Sequence, residues 1–450
     1  MNGHQLIEAT FRHQVTPRSP WVPFAGVHAG KLKGYTATEV LTDADKLYRS
    51  LLEVHRLYMP DGMPICFDLQ LEAEILGCEL LWVDDNPPSV RTHPLENSDE
   101  IPTRTLQRTD GRIPIVMEAA RRMKTLVGKE TALYGLFCGP FTLASHLRGT
   151  ALFKGMKRNP DYIKSLISYC TDIGIQMADY YAECDMDIIV PVDPLVSQIS
   201  PEHFTEFLTE PYTRIFEHIR NKGKFSSFFV CGNALRNIDV MCKTHPDGIS
   251  VDENIPIATA KAITDPYNIC IGGNIPLTTV MLFGNQQDNI KFVVDMIDSL
   301  DDTRNFIVSP GCDMPYNTPM ENTIAVAETV RDLNKYRELI ENYESTGLDD
   351  IDVVLPDYEN LDRPLLECFT LDSASCAACT YMWAVTCDAK KRYKDAIDIV
   401  EYKYTRLEDI ARIKKVGVQN LPSLYINGKL AYASIIPNQE ELFAKIDALL

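Results

Sequence analysis

Two cysteines stand where predicted β-strands end, and their side chains are among those most able to do chemistry in this chain. Cys231 follows the apolar run FSSFFV and is itself followed by Gly232 and Asn233. Cys312 follows the run NFIVSP and a glycine. A thiolate is both a nucleophile and a ligand for Zn2+. If the two strand ends meet in the fold, both thiols can act on one bound metal ion or substrate.

A second pair of thiols has the spacing of a redox motif. Cys376 and Cys379 are separated by two alanines, at the junction of a predicted strand and a predicted helix. The N-terminus of a helix stabilises a thiolate and lowers the pKa of the first cysteine. Such a pair can also be half of a zinc site, but no second CxxC or HxxxH lies nearby. The sequence therefore favours a redox dithiol at this position.

The elements that position Cys231 and Cys312 alternate between two kinds. From Trp21 to about Lys335, short apolar runs alternate with longer segments in which apolar residues recur every three or four positions. About eight repeats of strand and helix predict a TIM (β/α)8 barrel, which we assign to residues 1–344. The predicted strands are WVPFAG, PICFD, TALYGLF, DIIVPV, FSSFFV, GISV, NICIGG and NFIVSP.

In such barrels the chemistry lies on the loops that follow the strands. Cys231, Cys312 and His28 are the predicted catalytic residues and candidate metal ligands at this rim. The predicted substrate-binding residues are Asp68, Asp193, Asn233, Asp252 and Asn274.

The chain then changes character. Residues 345–361 are rich in acidic and turn-forming residues and are predicted to be a linker. Residues 362–450 show the order βαβαββα, with a hairpin that turns at Asn427 and Gly428. This small α/β domain resembles the thioredoxin and glutaredoxin family. The resemblance implies that Pro422 takes a cis bond beside the redox pair Cys376 and Cys379. Ser375 stands where that family usually has a tryptophan.

The barrel resembles the uroporphyrinogen decarboxylase superfamily, in its branch of corrinoid-dependent methyltransferases. The matching stretches include VHAGKLKGYTATEVLTD, FDLQLEAEILGCEL, GPFTLASHLRG, VCGNALRNID and SPGCDMPYNTPMENT. In that branch a His-x-Cys pair and a later Cys hold zinc, and Cys231 and Cys312 match the two cysteines. Phe229 replaces the histidine. We therefore expect either that another side chain replaces it or that the metal is lost. His28 is the first candidate replacement, and Glu72 and Glu74 are possible oxygen ligands.

The resemblance implies a cobalamin-dependent methyltransferase that works with a corrinoid protein and a small-molecule acceptor. With a thiol acceptor, Zn2+ would activate the thiol; with tetrahydrofolate, no metal would be needed. Uroporphyrinogen decarboxylation is an alternative, but the arginine-rich N-terminal segment of the decarboxylases is replaced here by GVHAGKLKG, in which Lys31 and Lys33 are poor substitutes. A third possibility is a module that binds a corrinoid protein and carries a dithiol reductase.

Composition narrows the classes of partner. The formal net charge of −19 disfavours binding to nucleic acid or to an anionic membrane surface, because either needs clustered cations. The N-terminus has no apolar signal segment, so we expect a cytoplasmic protein. The 13 cysteines are odd in number and scattered, which is not the pattern of a secreted disulfide framework.

Overall fold

The computed structural model describes residues 1–344, 351–374, 377–418, 420–433 and 435–450, with only the backbone described at 377 and 378. The chain divides into two compact units, Met1–Tyr343 and Glu344–Leu450. Among these described residues, no helix has the length and apolar character needed to cross a membrane.

A parallel sheet forms the centre of the first unit. Its seven strands run in the order β1-β4-β5-β6-β7-β8-β9, and each pairs in parallel with its neighbours. A separate antiparallel pair, β2 and β3, lies outside it. The strands are β1 Gly62–Pro64, β2 Leu80–Leu81, β3 Ser89–Val90, β4 Ala132–Cys138, β5 Ile188–Val192, β6 Phe225–Val230, β7 Gly248–Val251, β8 Cys270–Ile275 and β9 Phe306–Pro310.

The segment around Trp21 closes this sheet on itself. Trp21 forms a parallel bridge with Val308 of β9, and the nitrogen of Val22 donates to the Val308 carbonyl at 2.9 Å. On its other side, the Trp21 carbonyl accepts from Asp61 N, next to β1, at 2.9 Å. The first predicted strand, WVPFAG, is therefore reduced to a single bridge, but it occupies the eighth position of a TIM-like barrel.

Side-chain alternation along β6 fills the barrel. Phe229 points inward, while Phe228 packs outside against Tyr212 at a ring-centroid distance of 4.0 Å. One void of about 10 Å³ lies among these side chains and is lined by residues such as Tyr134 and Ser227 from within the strands. Buried side chains such as Val190, Phe229 and Ile307 fill the interior, and in such barrels ligands bind at the loops beyond the strand ends.

Helices surround the sheet and connect successive strands, as a parallel sheet requires. They are α1 Gly3–Phe11, α2 His28–Lys31, α3 Ala37–Thr42, α4 Ala44–Tyr58, α5 Leu71–Ile75, α6 Ile113–Val127, α7 Pro140–Arg148, α8 Ala151–Arg158, α9 Pro160–Glu183, α10 Pro201–Phe207, α11 Thr209–Asn221, α12 Ile238–Cys242, α13 Ile257–Thr264, α14 Gln286–Asp298, α15 Met320–Arg331 and α16 Leu333–Leu339. Short 3-10 helices span Pro194–Gln198, Leu235–Asn237 and Asp265–Tyr267, and a π-helical segment spans Leu277–Leu282.

The second unit has the predicted order βαβαββα. Its elements are β10 Leu365–Thr370, α17 Ala377–Tyr393, β11 Asp398–Lys403, α18 Leu407–Val416, β12 Ser423–Ile426, β13 Lys429–Ala433 and α19 Gln439–Asp447, with a 3-10 turn at Lys394–Ala396. The sheet order is β11-β10-β12-β13; β10 and β11 are parallel, and the other pairs are antiparallel. Asn427 and Gly428 both have positive φ, as the tight turn between β12 and β13 requires.

Part of the predicted linker packs on the second unit. The carbonyl of Val353 accepts from Lys415 Nζ at 2.5 Å, and the carbonyl of Val354 accepts from Arg412 Nη2 at 2.8 Å. Residues 345–350 lie outside the described part of the chain. The segment 351–361 therefore belongs structurally with the domain that follows it.

Candidate functional site

The structure brings the two strand-end cysteines together. Cys231 follows the last residue of β6, and Cys312 lies two residues beyond the end of β9. Parallel strands place their carboxyl ends at one rim, so both residues are at the mouth of the barrel. The two cysteines are joined as a disulfide, with their Cα atoms 6.1 Å apart. Both are partly buried and pack against the inner hydrophobic cluster.

Phe229 forms the apolar surface beneath this disulfide. Its side chain is 0% exposed, and its ring centroid lies 4.7 Å from that of Phe24 and 5.6 Å from that of Phe67. Position 229 points to the same side of β6 as position 231, because side chains alternate along a strand. A phenyl ring at this position supplies packing and no metal ligand.

His28 is engaged elsewhere. Its Nδ1 donates to the carbonyl of Tyr316 at 3.0 Å, because a carbonyl can only accept; Nε2 therefore accepts from the hydroxyl of Tyr58 at 2.6 Å. Burial lowers the pKa of His28 to about 4, so the ring is neutral near pH 7. Both nitrogens are occupied, and these contacts give no support to the predicted ligand role of His28, which stays a prediction.

A catalytic zinc site normally needs three protein ligands. Among the side chains that the structure describes, no group of three or more His, Cys, Asp or Glu residues could hold a metal ion. Cys231 and Cys312 are bonded to each other, and a disulfide sulfur is not a thiolate ligand. The residues present at this rim therefore do not fit zinc.

The loop after β7 holds both cysteine-bearing loops in place. Asp252 accepts a hydrogen bond from the nitrogen of Gly232 at 2.8 Å. Gly311 lies so close to Glu253 that a Cβ there would come within 2.6 Å of the Glu253 nitrogen. Asn274 donates to the carbonyl of Asp252 at 2.8 Å. Asp252 and Asn274, predicted to bind substrate, thus support the loops that bear the thiols.

Two carboxyl groups that sequence reasoning missed lie next to these residues. Asp313 Oδ1 accepts from Gly26 N at 2.8 Å, and burial raises the pKa of Asp313 well above its usual value. Burial raises the pKa of Glu253 to about 8, and the carboxyl group of Asp252 adds to this effect. Both residues directly follow a predicted site residue in sequence, which was the only available signal.

An ion-paired cluster lies on the loops after β1. Arg112, the residue before α6, forms an ion pair with Asp68 and a second one, through Nε at 2.8 Å, with Glu74. Asp68 also accepts from Gln70 N at 2.9 Å. Glu72 is buried, accepts from the nitrogen of Cys138 at 3.2 Å, and has its pKa raised by burial to about 7. The positive charge of Arg112 is therefore already matched by carboxylates.

Asp193 is sealed from any ligand. It is 0% exposed, and its carboxylate accepts from Phe141 N at 2.9 Å, from Thr142 Oγ1 at 2.6 Å and from the hydroxyl of Tyr212 at 2.5 Å. Burial raises the pKa of Asp193 to about 6. These contacts indicate that Asp193 stabilises the fold, and they do not support the predicted substrate contact. Asn233 is partly exposed, and its Oδ1 accepts from Leu235 N at 3.3 Å.

In the second unit, only part of the predicted redox motif is described. Cys379 is buried in the first turn of α17, and Leu371 N donates to its sulfur at 3.2 Å. Cys376 lies outside the described residues. The bond between Leu421 and Pro422 is cis.

Comparisons with known proteins agree with this architecture. Residues 2–333 match the model of the family "Uroporphyrinogen decarboxylase (URO-D)". The chain is similar to methylcobamide:CoM methyltransferase MtbA of Methanosarcina acetivorans, with 27% identity over 327 residues, which cover 71% of this chain and 95% of that protein. It is also similar to uroporphyrinogen decarboxylase of Wolbachia sp. subsp. Brugia malayi, with 27% identity over 302 residues, 65% of this chain and 83% of that protein.

Among solved structures, a methyltransferase from Methanosarcina mazei matches with a TM-score of 0.67 and 22% identity, covering 74% of this chain and 99% of that chain. At this identity the likeness concerns the fold. Because the family model covers most of the chain, the protein belongs to the uroporphyrinogen decarboxylase (URO-D) family.

Proposed function

We propose that this protein transfers a methyl group between a corrinoid carried by a separate protein and a small acceptor bound at the barrel mouth. The observation that carries the proposal is the similarity to MtbA, a methylcobamide:CoM methyltransferase, over 95% of that protein's length. The buried apolar interior of the barrel supports it, because active sites of such barrels lie on the loops at the rim, where a partner protein can dock.

The charges at the rim disfavour the decarboxylase alternative. A substrate with many carboxylates needs several unpaired cationic side chains in its site. Arg112 is already paired with Asp68 and Glu74, and Glu253 and Asp313 add further carboxyl groups nearby. A polycarboxylate would therefore meet carboxyl groups at positions where it needs cationic side chains.

The protonated side chain of Glu253 suits an uncharged or weakly basic acceptor. With its pKa near 8, Glu253 carries a proton at pH 7, and burial also raises the pKa of Asp313. A protonated carboxyl group can donate a hydrogen bond to a ring nitrogen or a carbonyl oxygen of the acceptor and orient it. The acceptor's nucleophilic atom would then displace the methyl group from the corrinoid.

Two acceptor classes remain. The names of the relatives favour a thiol such as coenzyme M. Tetrahydrofolate is favoured by the missing third ligand at Cys231 and Cys312, since a pterin nitrogen is nucleophilic without metal activation. We retain both classes, since each depends on a different observation.

The test uses the full chain, reduced and kept anaerobic, with methylcobalamin as the methyl donor. Coenzyme M and tetrahydrofolate are offered separately, with and without a chelator, and the methylated product is measured by mass spectrometry. We expect transfer to one of the two acceptors that is insensitive to the chelator. Release of CO2 from uroporphyrinogen, with methylcobalamin left intact, would overturn the proposal.

For the second unit, we propose a thioredoxin-like dithiol domain. Its element order, the cis bond before Pro422 and the position of Cys379 in the first turn of α17 support this assignment. Its target is either a partner protein or the thiols of the barrel. The alternative in which the barrel only binds a corrinoid protein, while this domain does the chemistry, predicts no methyl transfer by the chain.

A further inference from the structure

The disulfide at the barrel mouth has the features of a site for thiol–disulfide exchange. We propose that Cys231 and Cys312 form a reversible dithiol–disulfide pair that is opened by a dithiol reductant. This goes beyond methyl transfer, because it assigns a redox reaction to the barrel itself. It also gives the two thiols a chemistry that needs no third ligand.

Exposure separates this pair from the other thiols of the barrel. All residues of the first unit are described, and its other cysteines are all buried and free: Cys66, Cys78, Cys138, Cys170, Cys184, Cys242 and Cys270. Cys231 and Cys312 are only partly buried, on loops beyond the strand ends. Attack by an external thiolate requires access to a sulfur atom. Exchange in the barrel should therefore be confined to this pair.

Contacts other than the disulfide hold the Cys231 loop and the Cys312 loop in place. The Cys231 loop is fixed by the hydrogen bond from Gly232 N to Asp252, and the Cys312 loop by a hydrogen bond from Gly311 N to the Ile275 carbonyl at 3.0 Å. These contacts survive reduction, so the Cα atoms stay near their separation of 6.1 Å. Two thiols held this close have a high effective concentration and can close again without folding anew.

The pair also lies across the mouth. In the sheet, β6 and β9 are separated by β7 and β8, so the bond joins the first and last of four neighbouring strands. In the oxidised state a covalent bond therefore spans the loop that carries Asp252 and the end of β8 that carries Asn274. Reduction removes the tie and exposes two thiols at the place where the acceptor is proposed to bind.

The chemistry balances with a dithiol as the reductant. One thiolate of the reductant attacks a sulfur of the pair, a mixed disulfide forms, and the Cys231–Cys312 bond breaks. The departing thiolate takes a proton. The second thiolate of the reductant attacks the mixed disulfide, releases the other cysteine, which is also protonated, and leaves the reductant oxidised. Two electrons and two protons have then passed to the barrel.

The experiment titrates the full chain with mixtures of reduced and oxidised dithiothreitol. Samples are quenched in acid, alkylated without denaturant and again after denaturation with a second label, and analysed by peptide mass spectrometry. We expect Cys231 and Cys312 to change together in one transition with the slope of a two-electron couple. The seven buried cysteines should take the first label at no point in the series.

Three variants test whether the transition belongs to Cys231 and Cys312. Cys231→Ser and Cys312→Ser should each leave the remaining cysteine alkylated at every ratio, whereas Cys242→Ser, at a buried position of α12, should leave the transition unchanged. Two results would overturn the inference: the absence of a linked peptide under full oxidation, or a linked peptide that dithiothreitol opens only in denaturant. A transition abolished by added zinc would overturn it as well. None of these readouts depends on methyl transfer, so the two proposals fail separately.

Discussion

Asp252 accepts a hydrogen bond from the backbone nitrogen of Gly232 at 2.8 Å, one residue after Cys231. Asp252, on the loop after β7, thus helps to position Cys231, on the loop after β6. This contact links the predicted substrate-binding residues to the cysteine pair, and its removal should affect the chemistry of the pair before it affects the fold.

Asp252→Ala should weaken closure of the disulfide. A hydrogen bond to a charged group contributes about 1.5–3 kcal/mol, so the equilibrium constant for ring closure against glutathione should fall about tenfold or more. Asp252→Asn is the matched control, because it keeps an acceptor oxygen for Gly232. An unchanged constant in the alanine variant would show that this contact does not hold the loop.

Phe229→His should create the missing metal ligand. The new imidazole would project from β6 on the same side as Cys231, and reduced protein should then retain about one zinc ion per chain, which we expect wild-type protein to lose. Phe229→Leu tests the effect of lost packing alone and should lower the free energy of unfolding by about 1 kcal/mol without binding zinc. The measurement is metal content after dialysis. Stoichiometric zinc in reduced wild-type protein would contradict our conclusion that the donor set does not fit.

Asp193→Ala should destabilise the protein rather than weaken substrate binding. It would leave the donors of Phe141, Thr142 and Tyr212 buried without their acceptor, at a cost of about 3 kcal/mol in the free energy of unfolding. Tyr212→Phe removes one of these donors and should cost less. Urea unfolding measures the first effect, and the KM for the acceptor measures the second. A raised KM with unchanged stability would restore Asp193 as a substrate contact.

The buried, neutral His28 makes stability depend on pH. Its folded-state pKa is about 4 against 6.5 for the unfolded chain, so between these values the unfolded state binds the extra proton. The contribution of His28 to stability is therefore kept above about pH 6.5 and lost as the pH falls towards 4, by about 2 kcal/mol between pH 7 and pH 5. His28→Gln should lose less stability over this interval in chemical denaturation. Parallel profiles of stability against pH for the two proteins would show that the pKa of His28 is not lowered in the folded state.

Cys379→Ser tests whether the second unit acts on the barrel. If Cys376 attacks the Cys231–Cys312 bond, the missing second thiol leaves the mixed disulfide unresolved. Mass spectrometry should then detect a peptide that joins position 376 to position 231 or 312. Cys387→Ser, elsewhere on α17, is the control and should give no such product. Absence of the cross-link in Cys379→Ser would assign the dithiol to another target.

Much of the fold could be predicted from local pattern. The alternation of apolar runs and helical periods indicates the barrel, and the order βαβαββα of the second unit is found among its described residues. The strand ends at Cys231 and Cys312 were also readable, because a strand and its terminating glycines are properties of neighbouring residues. By the same reasoning WVPFAG was expected to be a full strand, yet among its residues only Trp21 forms a bridge, with Val308 of β9.

The sequence by itself determined the two-part architecture and placed two thiols at strand ends. Only the tertiary structure decided that these thiols bond to each other, that both nitrogens of His28 are taken by Tyr58 and Tyr316, and that Glu253 and Asp313 line the same rim. Secondary structure follows from periodicity within a few neighbouring residues. Which distant side chains meet depends instead on how all the strands close around the barrel and on which hydrogen-bond partner lies within reach of each polar atom.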